Sequence, residues 1–308
     1  MNPPAALPRL HALGLRELVR PVRALEPTVA FYYAALGFTR EATGAGGTDA
    51  LAGALAEAWG AAPRALARLR LGAQALVLAE CPGAPALPDQ GADDPRFQHI
   101  AIVTADIGAA WARVLAQAPS TATITQGGPV QLPPNSGGVA ACKFRDPAGH
   151  PVELLAFAPG QAPARWRGMP GLTQGIDHSA ITVADADRSI TFYTGLLGLR
   201  QTARQTNHGS TQARLDGLTA PEVDVVALAA GEAAPHLELL GYRPPRTAAW
   251  PGATRGPRTC TVWTLAAGTE GAAAIRQLQD PDGHTLVLLP AAGTAARDFP
   301  HSTPLHDT

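Results

Sequence analysis

Two regions of this chain resemble each other, and each begins with a segment that contains a histidine and ends in an apolar run that contains a glutamate. The sequence Gly-Ile-Asp-His-Ser-Ala-Ile-Thr-Val at 175–183 is echoed by Phe-Gln-His-Ile-Ala-Ile-Val at 97–103. Each copy is followed by an apolar run around one glutamate, at 236–240 and at 151–155. Two copies of one structural unit can in this way bring four metal-ligating side chains together. The candidate ligands are His99, Glu153, His178 and Glu238.

The repeat extends beyond these segments. A shift of 161 positions places the segment at 31–38, Phe-Tyr-Tyr-Ala-Ala-Leu-Gly-Phe, on the segment at 192–199, Phe-Tyr-Thr-Gly-Leu-Leu-Gly-Leu. Both segments read as a helix end followed by a terminating glycine. Short apolar stretches before them, 15–22 and 176–183, read as strands. Each unit therefore begins as strand and then helix.

A second repeated feature is a turn that leads into a final strand. The segments at 146–150, Asp-Pro-Ala-Gly-His, and at 280–284, Asp-Pro-Asp-Gly-His, have Pro and Gly where turns require them. The two histidines, His150 and His284, are interpreted as turn residues. They are 134 positions apart rather than 161, so the last unit is shortened. We predict four units, near 13–82, 95–158, 174–242 and 256–290. The first three have room for strand-helix-strand-strand-strand.

These repeated units and motifs resemble the vicinal oxygen chelate superfamily, which includes glyoxalase I, ring-cleaving dioxygenases, epimerases and antibiotic-resistance proteins. The resemblance implies an α+β fold in which four βαβββ units pair into two open, eight-stranded, cupped sheets, with the fourth unit truncated. It also implies a metal in a cup, held by the first and last strands of both paired units. The predicted organisation is a tail at 1–12, a first module at 13–158, a linker at 159–173, a second module at 174–290 and a tail at 291–308.

The distribution of ligand-type residues predicts which units pair. At the positions that correspond to the four candidate ligands, units one and four hold Glu17, Val77, Cys260 and Val287. Neighbour pairing would give two partial sites, each with a valine. Pairing unit two with unit three gives one cup with two imidazoles and two carboxylates. We therefore expect one metal site in that cup, and we interpret Glu17 and Cys260 as structural residues.

Nitrogen and carboxylate ligands of this kind suit one divalent ion, Fe, Mn, Ni, Co or Zn. His236 lies two residues before Glu238 on the same strand face, so it is an alternative ligand or a hydrogen-bonding partner of one. His208 is predicted in a loop after the unit-three helix, where it could act as a catalytic acid or base beside Glu153 and Glu238.

The composition indicates a small-molecule partner. The formal net charge is −1 with no long run of one sign, which favours neither nucleic acid nor a membrane surface. Three cysteines without metal-finger or disulfide spacing, and an N-terminus without a signal segment, predict a cytoplasmic protein. The oligomeric state is left open.

Three chemistries fit the resemblance. The favoured hypothesis is a glyoxalase-like or epimerase-like lyase or isomerase, in which the metal stabilises an enolate and a glutamate moves a proton. The alternative is an Fe(II) dioxygenase acting on a catechol or hydroquinone, for which two histidines and one glutamate suffice. A non-catalytic protein that binds a drug or metabolite is the third hypothesis.

Overall fold

The structure is a computed structural model that describes most of the chain. The described residues are 10–42, 45–84, 87, 90–231, 234–243, 256–266 and 276–291. Within them lie fifteen strands and five α-helices. No helix in this part of the chain is both long and apolar enough to cross a membrane.

The secondary structure follows the predicted four units. Unit one contains β1 (Ala12–Val22), α1 (Leu25–Leu36), β2 (Thr39–Arg40), α2 (Ala45–Trp59), β3 (Ala65–Leu71) and β4 (Gln74–Glu80). Unit two contains β5 (Gln98–Thr104), α3 (Ile107–Gln117), β6 (Val130–Gln131), β7 (Ala140–Arg145) and β8 (Pro151–Ala156). Unit three contains β9 (Thr173–Thr182), α4 (Ala186–Leu197), β10 (Arg200–His208), α5 (Gly209–Asp216), β11 (Glu222–Ala229) and β12 (His236–Arg243). Unit four contains β13 (Cys260–Leu265), β14 (Arg276–Gln279) and β15 (Thr285–Pro290).

The strands form two sheets, and each sheet combines two units. One has the order β14-β15-β13-β1-β4-β3-β2 and the other β10-β11-β12-β9-β5-β8-β7-β6. Units two and three therefore share a sheet, and units one and four share the other, as the distribution of ligand-type residues predicted. The sheet of units two and three has eight strands, and the sheet of units one and four, which contains the shortened unit, has seven among the described residues. Residues 267–275, between β13 and β14, lie outside the described residues.

The repeated motifs adopt the same conformation in both copies. α1 and α4 each end at a glycine in the left-handed conformation, Gly37 at φ 72° and Gly198 at φ 69°. In both turns the glycine before the histidine also has a positive φ, 91° at Gly149 and 92° at Gly283. A side chain is strained in this conformation, so glycine fits these turns and helix ends best.

The turn residues join units that are neighbours in sequence but belong to different sheets. Tyr32 of α1 donates a hydrogen bond to Asp146 of the unit-two turn at 2.7 Å, and its counterpart Tyr193 of α4 donates to Asp280 at 3.1 Å. All four side chains are buried. Buried polar groups of this kind must be paired, so the repeated Tyr–Asp contacts fix the two sheets against each other.

The two turn histidines make an equivalent link. His150 Nε2 lies 2.7 Å from the carbonyl oxygen of Pro21 at the end of β1, and His284 Nε2 lies 3.0 Å from that of Thr182 at the end of β9. Burial lowers the pKa of His150 to about 4, so its ring is neutral at pH 7 and can donate to this carbonyl. The interpretation of both histidines as structural turn residues agrees with these contacts.

The sheet of units one and four has a filled concave side. The sequence analysis did not predict α2. Its side chains Leu51, Leu55 and Trp59 pack against Val77, Cys260 and Val287, which occupy positions that correspond to the candidate ligands of the other sheet. At the remaining position Glu17 is buried and accepts from Arg68 Nε at 2.6 Å. Apolar packing and this ion pair thus occupy the described residues that correspond to the candidate ligands on that sheet.

The sheet of units two and three is covered by a different helix. α5, also not predicted, packs against β6 and β7, and its Asp216 accepts a hydrogen bond from Lys143 Nζ at 2.7 Å. Tyr242 of β12 and Gln212 of α5 donate to the same carboxylate at 2.9 and 2.7 Å. A buried charge with three donors is well compensated, so Asp216 holds the two units of this sheet together across the cup.

Candidate metal centre

The four candidate ligands come from the four central strands of the sheet of units two and three. His99 lies on β5, Glu153 on β8, His178 on β9 and Glu238 on β12. The strand registers pair Ala101 with both His178 and Glu153, and pair Ala180 with both His99 and Glu238. Because side chains alternate along a strand, all four point to the same concave face.

Three of these side chains meet at one point. The ligand atoms of His99, Glu153 and His178 all lie within 4.8 Å of one another. His99 Nε2 is 2.9 Å from Glu153 Oε2. Two imidazoles and one carboxylate at this spacing can hold a divalent ion and leave further coordination positions for oxygen ligands.

Glu238 lies beside this group of three rather than inside it. Its Oε2 is 3.4 Å from His178 Nε2, and its Oε1 is 3.3 Å from His236 Nε2. The side chain of Glu238 is 20 % exposed, whereas those of His99 and Glu153 are 2 % and 8 % exposed. Glu238 is thus the carboxylate of the set that a substrate can reach.

His99 tests whether the residues fit a metal. Both of its ring nitrogens are buried, and neither forms a hydrogen bond to the protein, although Nε2 lies close to Glu153. Buried polar atoms without partners are costly and rare. The Nε2 of His99 and the carboxylate of Glu153 converge on one point, which is the arrangement that a cation requires, so the donor set fits a metal.

The pKa values in the centre differ sharply between the two histidines. Burial lowers the pKa of His99 to about 4, and nearby Lys143 adds to this effect. Burial opposes protonation of His178 as well, but the carboxylates of Glu238, Asp177 and Glu153 outweigh it and raise its pKa to about 9. His99 is therefore ready to bind a cation at pH 7, whereas His178 must first lose a proton.

Glu153 is kept ionised by its neighbours. Burial alone would raise its pKa, but Lys143 and the two histidines, His99 and His178, lower it to about 2. Lys143 Nζ is 3.9 Å from Glu153 Oε2 and 2.7 Å from Asp216. An ionised carboxylate is the form that binds a metal, and the positive charge of Lys143 favours it.

Asp177 is a site residue that the sequence analysis missed. The register between β5 and β9 shifts between the pairs Ala101–His178 and Ile102–Ile176, so Asp177 is the extra residue of a β-bulge. The bulge brings its Oδ2 to 3.1 Å from His178 Nδ1. A carboxylate on the far nitrogen of a metal-binding histidine fixes the orientation of the ring, so Asp177 directs His178 Nε2 to the centre.

The linker at 159–173 holds Asp177 in place. Trp166 is buried, and its Nε1 donates to Asp177 Oδ1 at 2.8 Å. Arg165 Nη2 donates to the same oxygen at 3.2 Å. Burial alone would raise the pKa of Asp177, but His178, His236 and the hydrogen bond from Trp166 lower it far below its usual range. A tryptophan in a Pro-rich and Gly-rich linker was the signal in the sequence that this segment reaches the site.

The two further candidate histidines, His236 and His208, have different surroundings. His236 pairs with His178 in the register, and its ring centroid is 5.4 Å from that of His178. His208 does not lie in a loop, which corrects the prediction: it ends β10 and is exposed, while the neighbouring Asn207 is buried. Alternation along β10 points His208 away from the face that holds Asn207, so the structure does not bring His208 to the centre.

Comparison with known proteins agrees with the repeats. The chain matches the family described as the Glyoxalase/Bleomycin resistance protein/Dioxygenase superfamily over residues 14–154 and 175–266. The match spans parts of all four units.

Solved structures share the fold. Glyoxalase I from Zea mays superposes with a TM-score of 0.57 and 16 % sequence identity, covering 90 % of this chain and 92 % of that one. A dioxygenase candidate from Bacillus subtilis superposes with a TM-score of 0.50 and 12 % identity, covering 91 % of this chain and 86 % of that one. No curated protein sequence matches the chain significantly.

Proposed function

Because the chain belongs to the Glyoxalase/Bleomycin resistance protein/Dioxygenase superfamily, we propose that it is a metal-dependent lyase or isomerase acting on a small molecule with adjacent oxygen atoms. The observation that carries this proposal is the convergence of His99, Glu153 and His178, in which the buried His99 nitrogens have no hydrogen-bond partner among the described residues and Glu238 lies beside the three. The substrate classes that suit it are 2-oxo compounds, thioesters and hemithioacetals.

His99, Glu153 and His178 would hold the metal. When bound, a divalent ion would supply Lewis-acid stabilisation of the negative charge that develops on substrate oxygens. Lys143 keeps Glu153 ionised, and Asp177 keeps His178 oriented. These residues hold the centre, and they need not change protonation state during turnover.

Glu238 would move the proton. Burial raises the pKa of its carboxyl, but His178 and His236 lower it overall, so it is an anion at pH 7 and can accept a proton. His236 Nε2 at 3.3 Å fixes one oxygen of Glu238, and the other faces the centre at 3.4 Å from His178 Nε2. A carboxylate placed in this way can take a proton from a carbon next to a carbonyl and return it to the neighbouring position.

The first experiment is elemental analysis of protein purified without oxygen and without added metal. We expect about one zinc, nickel, cobalt or manganese ion per chain in the wild type. The ion should be lost in His99→Ala and His178→Ala and kept in the control Glu222→Gln, an exposed carboxylate on β11. Unchanged metal content in both histidine variants would contradict the proposed centre.

The second experiment follows proton transfer in D₂O with a panel of 2-oxo, thioester and hemithioacetal compounds. We expect deuterium to enter substrate or product in the metal-loaded wild type. Glu238→Gln should keep its metal, because Glu238 lies outside the group of three, and should lose the exchange by a factor of about 10² to 10⁴. Full exchange in Glu238→Gln would remove Glu238 from the proposed mechanism.

A dioxygenase is the second candidate. It is favoured by the same separation of Glu238 from the three converging side chains, because two histidines and one carboxylate are the ligand set of many Fe(II) oxygenases. Here we expect iron in the elemental analysis and oxygen uptake when Fe(II)-loaded protein meets a catechol or hydroquinone. Absence of substrate-dependent oxygen uptake by protein loaded anaerobically with Fe(II) would remove this candidate.

A further inference from the structure

A cavity of about 440 Å³ opens at the rim of the cup, next to the metal centre. Its wall includes Arg165, Arg200, Thr202 and His236. Among the described residues that line it are two arginines and no aspartate or glutamate. A concave site of this size suits a small organic molecule, and its charge suits an anionic one.

The strand registers align this cavity with the centre. Arg200 of β10 pairs with Ala229 of β11. Leu228 pairs with Leu237, which places Ala229 beside His236, and His236 pairs with His178. Arg200 is thus in the same row across the sheet as His178, three strands away. At about 4.8 Å per strand the two backbones are roughly 14 Å apart, and a long arginine side chain extends over roughly half of that distance.

The guanidinium groups of Arg200 and Arg165 differ in the contacts that they already make within the protein. Arg200 is exposed, and no ion pair is found for it among the described residues. Arg165 donates one hydrogen bond, from Nη2, to Asp177, and its guanidinium lies 5.9 Å from the centre of the Trp166 ring. Each guanidinium has five N–H donors in a planar fork, which matches the two oxygens of a carboxylate.

We propose that this cavity binds a terminal carboxylate of the substrate, with Arg200 as its main partner and Arg165 as the second. The inference rests on the proposed function, because the other end of the same molecule carries the adjacent oxygens. An Arg200 side chain extended along this row leaves roughly half of the distance to His178, which a chain of about six carbon–carbon bonds spans. The substrate class is a chelating acid or carbonyl compound with a second, distant carboxylate.

Two probes differ only at the end that would enter the cavity. 2-Oxooctanedioate and 2-oxooctanoate share the chelating 2-oxo acid, and one ends in a carboxylate where the other ends in a methyl group. Their dissociation constants would be measured by calorimetry on metal-loaded wild type, Arg200→Met, Arg200→Lys and the control Arg243→Met, an exposed arginine at the far end of β12. Metal-free protein gives the background.

We expect the wild type and Arg243→Met to bind the diacid about 10- to 100-fold more tightly than the monoacid, which is the range for a charged hydrogen bond. Arg200→Met should bind both equally, and Arg200→Lys should keep part of the preference. Added NaCl should reduce the preference. Metal-dependent binding of both probes with equal affinity in the wild type, or a preference that survives in Arg200→Met, overturns this inference and leaves the proposed function intact. Binding of neither probe in a metal-dependent way also overturns this inference, whereas the proposed function is decided separately by the metal content and the deuterium exchange described above.

Discussion

Replacing Asp177 by asparagine should misorient the proton on His178 and weaken metal binding. Asp177 accepts from Trp166 Nε1 and Arg165 through Oδ1, and it faces His178 Nδ1 with Oδ2. Trp166 and Arg165 only donate here, so an asparagine must turn its carbonyl oxygen to them and its amide NH₂ to His178. Nδ1 must then accept a hydrogen bond, and the proton of a neutral His178 moves to Nε2.

Nε2 is the nitrogen that faces the centre, 3.4 Å from Glu238 Oε2. A protonated Nε2 cannot bind a metal, so the ion must bind the less stable tautomer or break the new hydrogen bond. Losing such an outer partner typically reduces metal affinity 10- to 100-fold, which corresponds to about 1.4 to 2.7 kcal/mol. The change is nearly isosteric, and it therefore tests the orientation of the proton more than the packing.

The assay is a competition titration of zinc against a chromophoric chelator at fixed pH, for wild type, Asp177→Asn and Asp224→Asn. Asp224 is a buried carboxylate of the same sheet that pairs with Arg204 and Arg243, outside the centre. We expect Asp224→Asn to bind zinc like the wild type. Zinc affinity of Asp177→Asn within a factor of two of the wild type would refute the argument about the tautomer.

Three further predictions concern the rest of the fold. Leu55→Ala opens a cavity where α2 fills the cup of units one and four, and it should lower the free energy of unfolding by about 2 to 5 kcal/mol in urea titrations without changing metal content; an unchanged midpoint would contradict the packing. The pKa of His150 is about 4 in the folded protein and near 6.5 in the unfolded chain, so the unfolded state binds more protons between these pH values. The free energy of unfolding therefore falls as the pH drops from 6.5 to 4, by about 3 kcal/mol in total from this residue. The stability of His150→Asn should depend less on pH over this window, and equal slopes for the two proteins would count against it. Gly175→Ala would place a methyl group 2.6 Å from the Trp166 ring, so it should displace the linker and weaken zinc binding through Asp177. Zinc affinity equal to that of the wild type would show that the linker tolerates the shift.

The repeat predicted most of the fold and the central part of the site. Side chains at matched positions of a duplicated unit must lie at matched positions in space, which is why the sequence could predict that His99, Glu153, His178 and Glu238 share one face. The absence of ligand types at Val77 and Val287 also predicted correctly which units share a sheet.

The missed features have a physical reason in common, since they depend on departures from the repeat. The β-bulge changes the parity of β9, so a strict alternation places Asp177 on the face opposite His178, although the bulge brings the two together. α2 and α5 are insertions between the second and third strands of their units, in regions where spacing alone fits further strand or loop. The role of Arg200 depends on a register across three strands, which no local pattern reports.

The nested pairing of units constrains the order in which the chain can fold during synthesis. The sheet of units two and three needs only residues up to Arg243, whereas β1 must wait for β13, which begins at Cys260. Until then one edge of β1 remains open on the ribosome and could pair with another nascent chain. The metal centre is therefore complete before the sheet that contains β1. An ion bound at that stage would stabilise the sheet of units two and three before β1 pairs with β13.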